Sequence, residues 1–292
     1  ALDALCALSG NIGIRGGGVS FYFKRRRAFQ MPKPKSGESR PAPRTICEPL
    51  YVDEVLAMRD PPIRALWVTA GNPVAMLPDS SRVAEAIRSR EFVVVVASFL
   101  TDTAKLATIV LPTTTLLEDV DIIGAYGHHY IGVSQPVISK PESVKTDLEI
   151  IQALAKRVGL EEEMAGTPRE WKQRFLNPSL SDYNITLDVL EQSVVRNPLA
   201  PRVLFADKKF PTKTGRVNLI CDAPPSPSEE ANASAEYPLQ LMALSTDKSQ
   251  SSQWAKPQNG PTTVTVHPEA VPHLADGALC RIESRVGALL AR

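Results

Sequence analysis

The chain has 292 residues, 43% hydrophobic and 22% charged, a globular composition with room for two domains. Its 33 Lys and Arg balance 32 Asp and Glu, so a net charge of +1 offers no broad electrostatic surface for nucleic acid or an anionic membrane. No run approaches the ~20 apolar residues of a membrane helix, and Cys6, Cys47, Cys221 and Cys280 are too dispersed for a Cys-x-x-Cys metal or cluster motif.

Leu2, Leu5, Cys6 and Leu8 have helical spacing, and Gly10 and Asn11 suit that helix's C-terminus. A Gly-rich turn runs on to Gly18. Lys24, Arg25, Arg26 and Arg27, then Pro32, Pro34, Pro41 and Pro43, predict a polar surface loop. Its basic run reads as a solvated face, with a phosphate contact as the alternative. A short amphipathic helix is predicted at Tyr51–Arg59 and a strand at Leu66–Thr69, followed by the Gly71-Asn72-Pro73 turn. Ser80 caps a predicted helix to about Arg90, and Phe92–Val96 is the next strand. Its four consecutive valines suit a strand buried on both faces, as in a parallel sheet. A short helix at Thr101–Ala107 leads to a strand at Ile109–Leu111, ended by Pro112. Two successive βα units result, and ligands of such sheets sit at the carboxyl ends of the strands.

Leu116–Pro141 reads as irregular and contains Tyr126-Gly127-His128-His129-Tyr130. Adjacent histidines on an extended segment point to opposite sides, which disfavours chelation of one ion. A strong helix opens at Asp147, with Thr146 or Asp147 as its cap, Glu149 in the first turn and Gly159 at its end. One or two helices follow within residues 161–200, around Trp171 and Leu187–Val194. Residues 222–236, rich in Pro, Ser, Ala and Glu, read as a linker. Beyond it the pattern changes to short strands at Leu239–Leu244, Thr263–Val266 and Ala278–Ser284, with one more strand predicted after a turn near Arg285. His267-Pro268 and Ala275-Asp276-Gly277 punctuate them.

Taken together, these residues resemble the molybdopterin oxidoreductases that carry bis(molybdopterin guanine dinucleotide), the group of formate dehydrogenases, periplasmic nitrate reductases and dimethyl sulfoxide reductases. Leu8-Ser9-Gly10-Asn11-Ile12-Gly13 through Gly18 is similar to the family's Gly-rich turn, and Ala70-Gly71-Asn72-Pro73 to its Gly-Asn-Pro turn. Phe99-x-Thr-x-Thr-Ala104, Ile109-Val-Leu-Pro112, Leu117-Glu118 and Asp147 follow in family order. Phe210 through Arg216 resembles the segment before the last domain, and His267-Pro268 with Asp276-Gly277 the C-terminal barrel. Each match alone is weak; their order over the chain carries the resemblance.

The resemblance implies an α/β fold class. A Rossmann-like parallel sheet with flanking helices would occupy residues 1–221, joined by the linker 222–236 to the start of a double-psi, aspartate-decarboxylase-like β-barrel at 237–292. It implies a cofactor, bis(molybdopterin guanine dinucleotide) with molybdenum or tungsten. It further implies a fragment, in which a 4Fe-4S cluster and the metal-ligating residue precede Ala1, so that this chain alone is expected to be inactive. A small-molecule substrate, an iron–sulfur electron-transfer subunit and a membrane-anchor subunit are the implied partners; cytoplasm and periplasm both remain open. Asn72, Ser98, Thr101 and Asp147 are the implied cofactor contacts at strand ends. Leu244, Ser245, Thr246, Lys248, Ser249 and Gln250 would wrap the dinucleotide from a loop, with Ser251 beside them and Trp254 as a stacking wall or core residue.

Local alternatives accompany these assignments. Asn72 also suits a turn, Asp147 a helix cap, and Ser98 or Thr101 a cap for the next turn. Two positions depart from the family pattern. Ala97 stands where the family usually has Asp, and Thr108 replaces a common acidic residue. These departures favour a second reading, a cofactor-free structural subunit of a respiratory electron-transfer complex. A Rossmann enzyme using another nucleotide would need a Gly-x-Gly-x-x-Gly turn between strand and helix, and none is present.

Overall fold

The computed structural model describes residues 2–19, 27–33, 44–125, 127–219, 236–242, 244–250, 252–254 and 259–292. The expected linker, except Glu236, lies outside them, as do Lys24 to Arg26, Pro34, Pro41, Pro43, Tyr126, Cys221, Ser251 and the side chain of Trp254.

In chain order the first elements are helices α1 (Leu2–Leu8) and α2 (Tyr51–Ala57), strand β1 (Ala65–Thr69), and helices α3 (Pro73–Met76) and α4 (Ser80–Arg88). Strands β2 (Phe92–Ala97), β3 (Ile109–Pro112), β4 (Asp121–Gly124) and β5 (Tyr130–Ser134) follow. Next come helices α5 (Asp147–Arg157), α6 (Glu161–Met164), α7 (Pro168–Phe175) and α8 (Leu187–Gln192). The last strands are β6 (Val195–Arg196), β7 (Ser249–Gln250), β8 (Gln253–Trp254), β9 (Cys280–Ser284) and β10 (Gly287–Ala291). Among the described residues no helix is long and apolar enough to cross a membrane.

Strands β1, β2 and β3 form one sheet in that order, and it is parallel. Thr108 N donates to Val93 O at 2.8 Å and Thr113 N to Ala97 O at 3.4 Å, so both strands advance together. The valines of β2, Val93 to Val96, are all buried, as expected for β-branched side chains covered on both faces. Helix α4 buries Val83, Ala84, Ala86 and Ile87 along one stripe. Its cap is Asp79 rather than Ser80: Asp79 Oδ1 accepts from Arg82 N at 3.2 Å. Asp79, Ser80 and Ser81 are all cap formers, and Asp79 is the one in the left-handed conformation, φ 57°. The helix expected at Thr101–Ala107 contracts to a 3-10 turn, Ala104–Leu106.

The chain divides into two compact units. The first holds Ala1–Arg44, Val96–Phe99 and Leu111–Asp222. Its core is Ala28, Ile131, Leu176, Leu180, Leu187 and Leu190, backed by Phe29, Ile122 and Val133. Residues 27–30 join this core through the chain: Gln30 N donates to Phe175 O at 2.8 Å and Asn177 N to Ala28 O at 3.0 Å. Helix α1 ends as its sequence predicts, with Gly10 at φ 76°, Gly10 N donating to Ala7 O and Asn11 N to Cys6 O. Leu116–Pro141, expected to be irregular, contains β4 and β5, which pair antiparallel and continue to β6. These strands are short and carry Gly124 and Gly132, which weaken the strand signal. Gly132 is there for packing: a Cβ would approach Val194 Cγ2 to 3.1 Å.

The second unit holds Thr45–Val95, Leu100–Val110 and Ala223–Arg292. Its buried apolar residues include Val55, Val83, Ile87, Val93 and Val95. Arg90 ties the loops around them, donating to Ile63 O at 2.7 Å and Val55 O at 3.4 Å. Of the late strands expected from sequence, Ala278–Ser284 is found as β9, paired with β10 across the turn at Arg285. Residues 262–264 run beside the chain end: Val264 N donates to Arg292 O at 3.0 Å, and Arg292 N to Thr262 O at 2.8 Å. The described part of Leu239–Leu244 forms no strand.

Two glycines of the first turn carry different loads. Gly10 and Gly13 both have positive φ, 76° and 79°. A Cβ at Gly10 meets nothing, whereas one at Gly13 overlaps the carbonyl oxygen of Phe205. Gly10→Ala should cost about 1–2 kcal/mol in urea unfolding through conformation alone. Gly13→Ala should cost about 1–3 kcal/mol more, since the overlap adds to it. Equal midpoints for the two variants would refute the close approach.

Candidate functional site

The site is built first at the carboxyl end of β1. Ala70 has φ 52°, and Asn72 opens α3 with Pro73 at the first helical position. The backbone oxygen of Asn72 accepts from Ala75 N and Met76 N, both at 3.0 Å. Its side chain does not cap α3; it turns to the 3-10 turn that follows β2. Asn72 Oδ1 accepts from Thr103 Oγ1 at 2.8 Å and from Thr103 N at 3.2 Å. Thr103 Oγ1 in turn accepts from Val74 N at 3.1 Å. Thr103 is fully buried and Asn72 is 8% exposed. Among the described residues no hydrogen bond reaches Asn72 Nδ2, and that atom is not sealed from solvent.

Thr101, on the same turn, is half-buried, and its Oγ1 accepts from Ala104 N at 3.1 Å. Its hydroxyl therefore closes the turn, the capping role its sequence position also allows. At the head of β3, Thr108 Oγ1 accepts from Val93 N at 3.0 Å while Thr108 N donates back to Val93 O. This threonine pins the register of β2 against β3.

A second group lies in the other unit. Ser98 is exposed, and its Oγ donates to Thr114 O at 2.9 Å. Thr114 Oγ1 donates to Asp119 Oδ2 at 3.0 Å. Asp147 is the first residue of α5, not its cap; the cap is Thr146, in a reciprocal pair with Glu149. Asp147 is exposed, and one carboxylate oxygen accepts from Thr113 Oγ1 at 3.3 Å. A parallel bridge between Thr113 and Lys145 sets that contact. Nearby, the backbone N–H and the hydroxyl of Thr115 hold the Glu118 carboxyl below its ordinary value.

The loop 244–250 forms a third group. Thr246 Oγ1 accepts from Lys248 N and Ser249 N, each at 3.1 Å, and Thr246 N donates to Ser249 O at 2.8 Å. Ser249 and Gln250 then pair with Trp254 and Gln253. Leu244, Ser245, Lys248 and Gln250 are exposed. In the 127–130 turn, His128 Nδ1 accepts from Tyr130 N at 3.1 Å, and the His129 carbonyl accepts from Asn197 N at 2.7 Å. Among the described residues no group of three or more His, Cys, Asp or Glu gathers at metal-binding distance.

The structure thus brings Asn72 together with Thr103, and Asp147 with Thr113. Neither threonine was singled out from sequence. Thr103 is the second threonine of the Thr101-x-Thr103 motif; two hydroxyls at that spacing look alike in sequence, and only one turns toward β1.

A parallel three-stranded sheet with flanking helices makes this an α/β fold, a class whose ligands sit at the strand ends. The chain belongs to the molybdopterin oxidoreductase family, whose model matches residues 1–157. It is 32% identical over 217 residues to the probable oxidoreductase YyaE of Bacillus subtilis, covering 74% of this chain and 32% of that protein. It is 28% identical over 278 residues to the trimethylamine-N-oxide reductase of Haemophilus influenzae, covering 79% and 34%. Among solved structures, acetylene hydratase from Pelobacter acetylenicus aligns with a TM-score of 0.45 at 23% identity, covering 59% of this chain and 24% of that one. The chain spans about a third of the length of these curated relatives.

The start of α5 gives a pH prediction. The Thr146 backbone N–H, at 2.8 Å, holds the Glu149 carboxyl below its ordinary value; burial opposes this and Lys140 reinforces it. A carboxyl with a depressed folded-state pKa stabilises fully above its unfolded value of about 4.3 and loses that share as pH falls through the folded value. Wild type should therefore lose more stability than Glu149→Gln in urea titrations between about pH 6 and about pH 3. At neutral pH, Thr146→Ala should cost about 1 kcal/mol.

Proposed function

We propose that this chain is part of the catalytic subunit of a molybdenum or tungsten oxidoreductase and helps hold bis(molybdopterin guanine dinucleotide). The observation that carries the proposal is the outward donor of Asn72, a nearly buried amide with an open valence at the first strand end of a parallel sheet. Such a donor suits an oxygen of the dinucleotide. The Asp147 carboxylate suits the N1–H and amino donors of guanine. The exposed backbone and side chains of Ser245, Lys248 and Gln250 suit a wrapping loop, in a barrel that would occupy residues 237–292 after the linker 222–236. Ser98 and Thr101 shape the turns at the end of β2, and each hydroxyl keeps a valence that suits the cofactor: Ser98 Oγ can still accept and Thr101 Oγ1 can still donate. When bound, the metal centre supplies two-electron, often oxygen-atom, transfer; this chain binds and orients the cofactor. Electrons would pass through a 4Fe-4S cluster and an iron–sulfur partner subunit.

One observation favours the cofactor-free structural reading. At the end of β2 the chain presents the methyl of Ala97, which can neither accept nor donate. Metal and pterin analysis separates the two readings. The full-length protein, made in a host that synthesises the cofactor, should carry stoichiometric molybdenum or tungsten and release GMP on acid hydrolysis. Protein that folds but holds neither metal nor pterin would leave the structural reading in place.

A further inference from the structure

We infer that Thr103 is the positioning residue that fixes the polarity of the Asn72 site, so that the site can donate only to a hydrogen-bond acceptor. This inference rests on the cofactor reading above and adds a residue and a ligand polarity to it.

Two backbone groups here can only donate. A backbone N–H cannot accept. Thr103 N lies 3.2 Å from the Asn72 amide, so the amide atom facing it is the oxygen. Val74 N lies 3.1 Å from Thr103 Oγ1, so that hydroxyl accepts there and its own proton goes elsewhere. The acceptor within reach is Asn72 Oδ1, at 2.8 Å. Proton positions along this chain are thus dictated by two backbone amides. The amide of Asn72 cannot flip without setting its NH2 against the N–H of Thr103, inside a site where Thr103 is fully buried. Its NH2 must therefore point away from Thr103, where no described residue takes it.

A ligand atom meeting that NH2 has to offer a lone pair, as a phosphate or carbonyl oxygen does. Thr103 touches no part of the ligand in this arrangement. It acts through Asn72 alone, holding the amide in one of two orientations before the ligand arrives. Without its hydroxyl, Asn72 Oδ1 keeps one anchoring hydrogen bond instead of two, and Val74 N loses its acceptor.

The test is cofactor retention by the full-length protein, read as bound pterin and metal per folded chain, with apo-protein unfolding measured in parallel. Thr103→Val should lower retention about tenfold, the usual effect of a lost anchoring hydrogen bond to a polar ligand site, and Thr103→Ser should restore it. In an Asn72→Ala background, Thr103→Val should add no further loss, because its only route to the ligand is gone. Asn72→Asp keeps an oxygen on Thr103 but turns the outward atom into an acceptor; it should lose retention at least as far as Asn72→Ala. Wild-type retention in Thr103→Val, losses that multiply in the double variant, or full retention in Asn72→Asp would each overturn the inference while the cofactor reading stands. A wild type without pterin, or an Asn72→Ala variant that retains it fully, would overturn the cofactor reading and this inference with it.

Discussion

The hydrogen bonds between Asn72 and Thr103 join two consecutive strand ends across 31 residues of sequence. The turn after β1 and the turn after β2 lie side by side, and each leaves backbone N–H groups to satisfy. Val74 N and Thr103 N both find their acceptors in this one pair of side chains. In water either group could be left to solvent. Here both threonine and asparagine are buried, and an orphaned donor would cost about 1–3 kcal/mol. The pair therefore sets how close the two turns approach, and with that the shape of the strand-end surface.

The same economy of polar groups governs other turns within each unit. In one, Thr101 closes the turn after β2 and Thr108 locks onto Val93; in the other, Ser98 fastens to Thr114. Thr113 places a hydroxyl against Asp147, at the start of a helix already capped by its neighbour Thr146. Polar residues at the strand ends are therefore mostly fasteners. Asn72 fastens through its amide oxygen alone, which leaves a separate atom, the nitrogen, to donate outward. A hydroxyl or a carboxylate in its place could not hold the turn with one atom and present an N–H donor with another.

How much of this was legible in the sequence depends on how local each signal is. The four valines of β2 announce a strand buried on both faces because that property belongs to the strand itself. The end of α1 at Gly10 is equally local and stands as written in the sequence, while at α5 the sequence offered Thr146 or Asp147 as the cap and the structure uses Thr146, boxed with Glu149. Strands β4 and β5 were not legible, because glycine weakens the strand signal and Gly132 answers to packing against Val194, from elsewhere in the chain. The partner of Asn72 was not legible either. Nothing within Thr101-Asp102-Thr103 says which hydroxyl turns toward β1; only the spacing between two strands in space decides it.

The two departures from the family pattern separate once the side chains are placed. Thr108 does not leave a hole. Val93 is buried, and its N–H is taken by the Thr108 hydroxyl while Thr108 N returns a bond to Val93 O. A carboxylate at 108 could accept the same N–H, but it would bring a charge to the head of β3, where a neutral hydroxyl already meets the valence. Thr108 is thus explained by strand register, without reference to a ligand. Ala97 is different. Its backbone oxygen takes Thr113 N, and its side chain offers nothing polar in the direction where a parallel sheet meets its ligand. On the cofactor reading, a ligand at the end of β2 would be held by backbone groups or by neighbours such as Asp147. At the end of β1, by contrast, a nearly buried amide that Thr103 holds in place keeps its nitrogen free to donate.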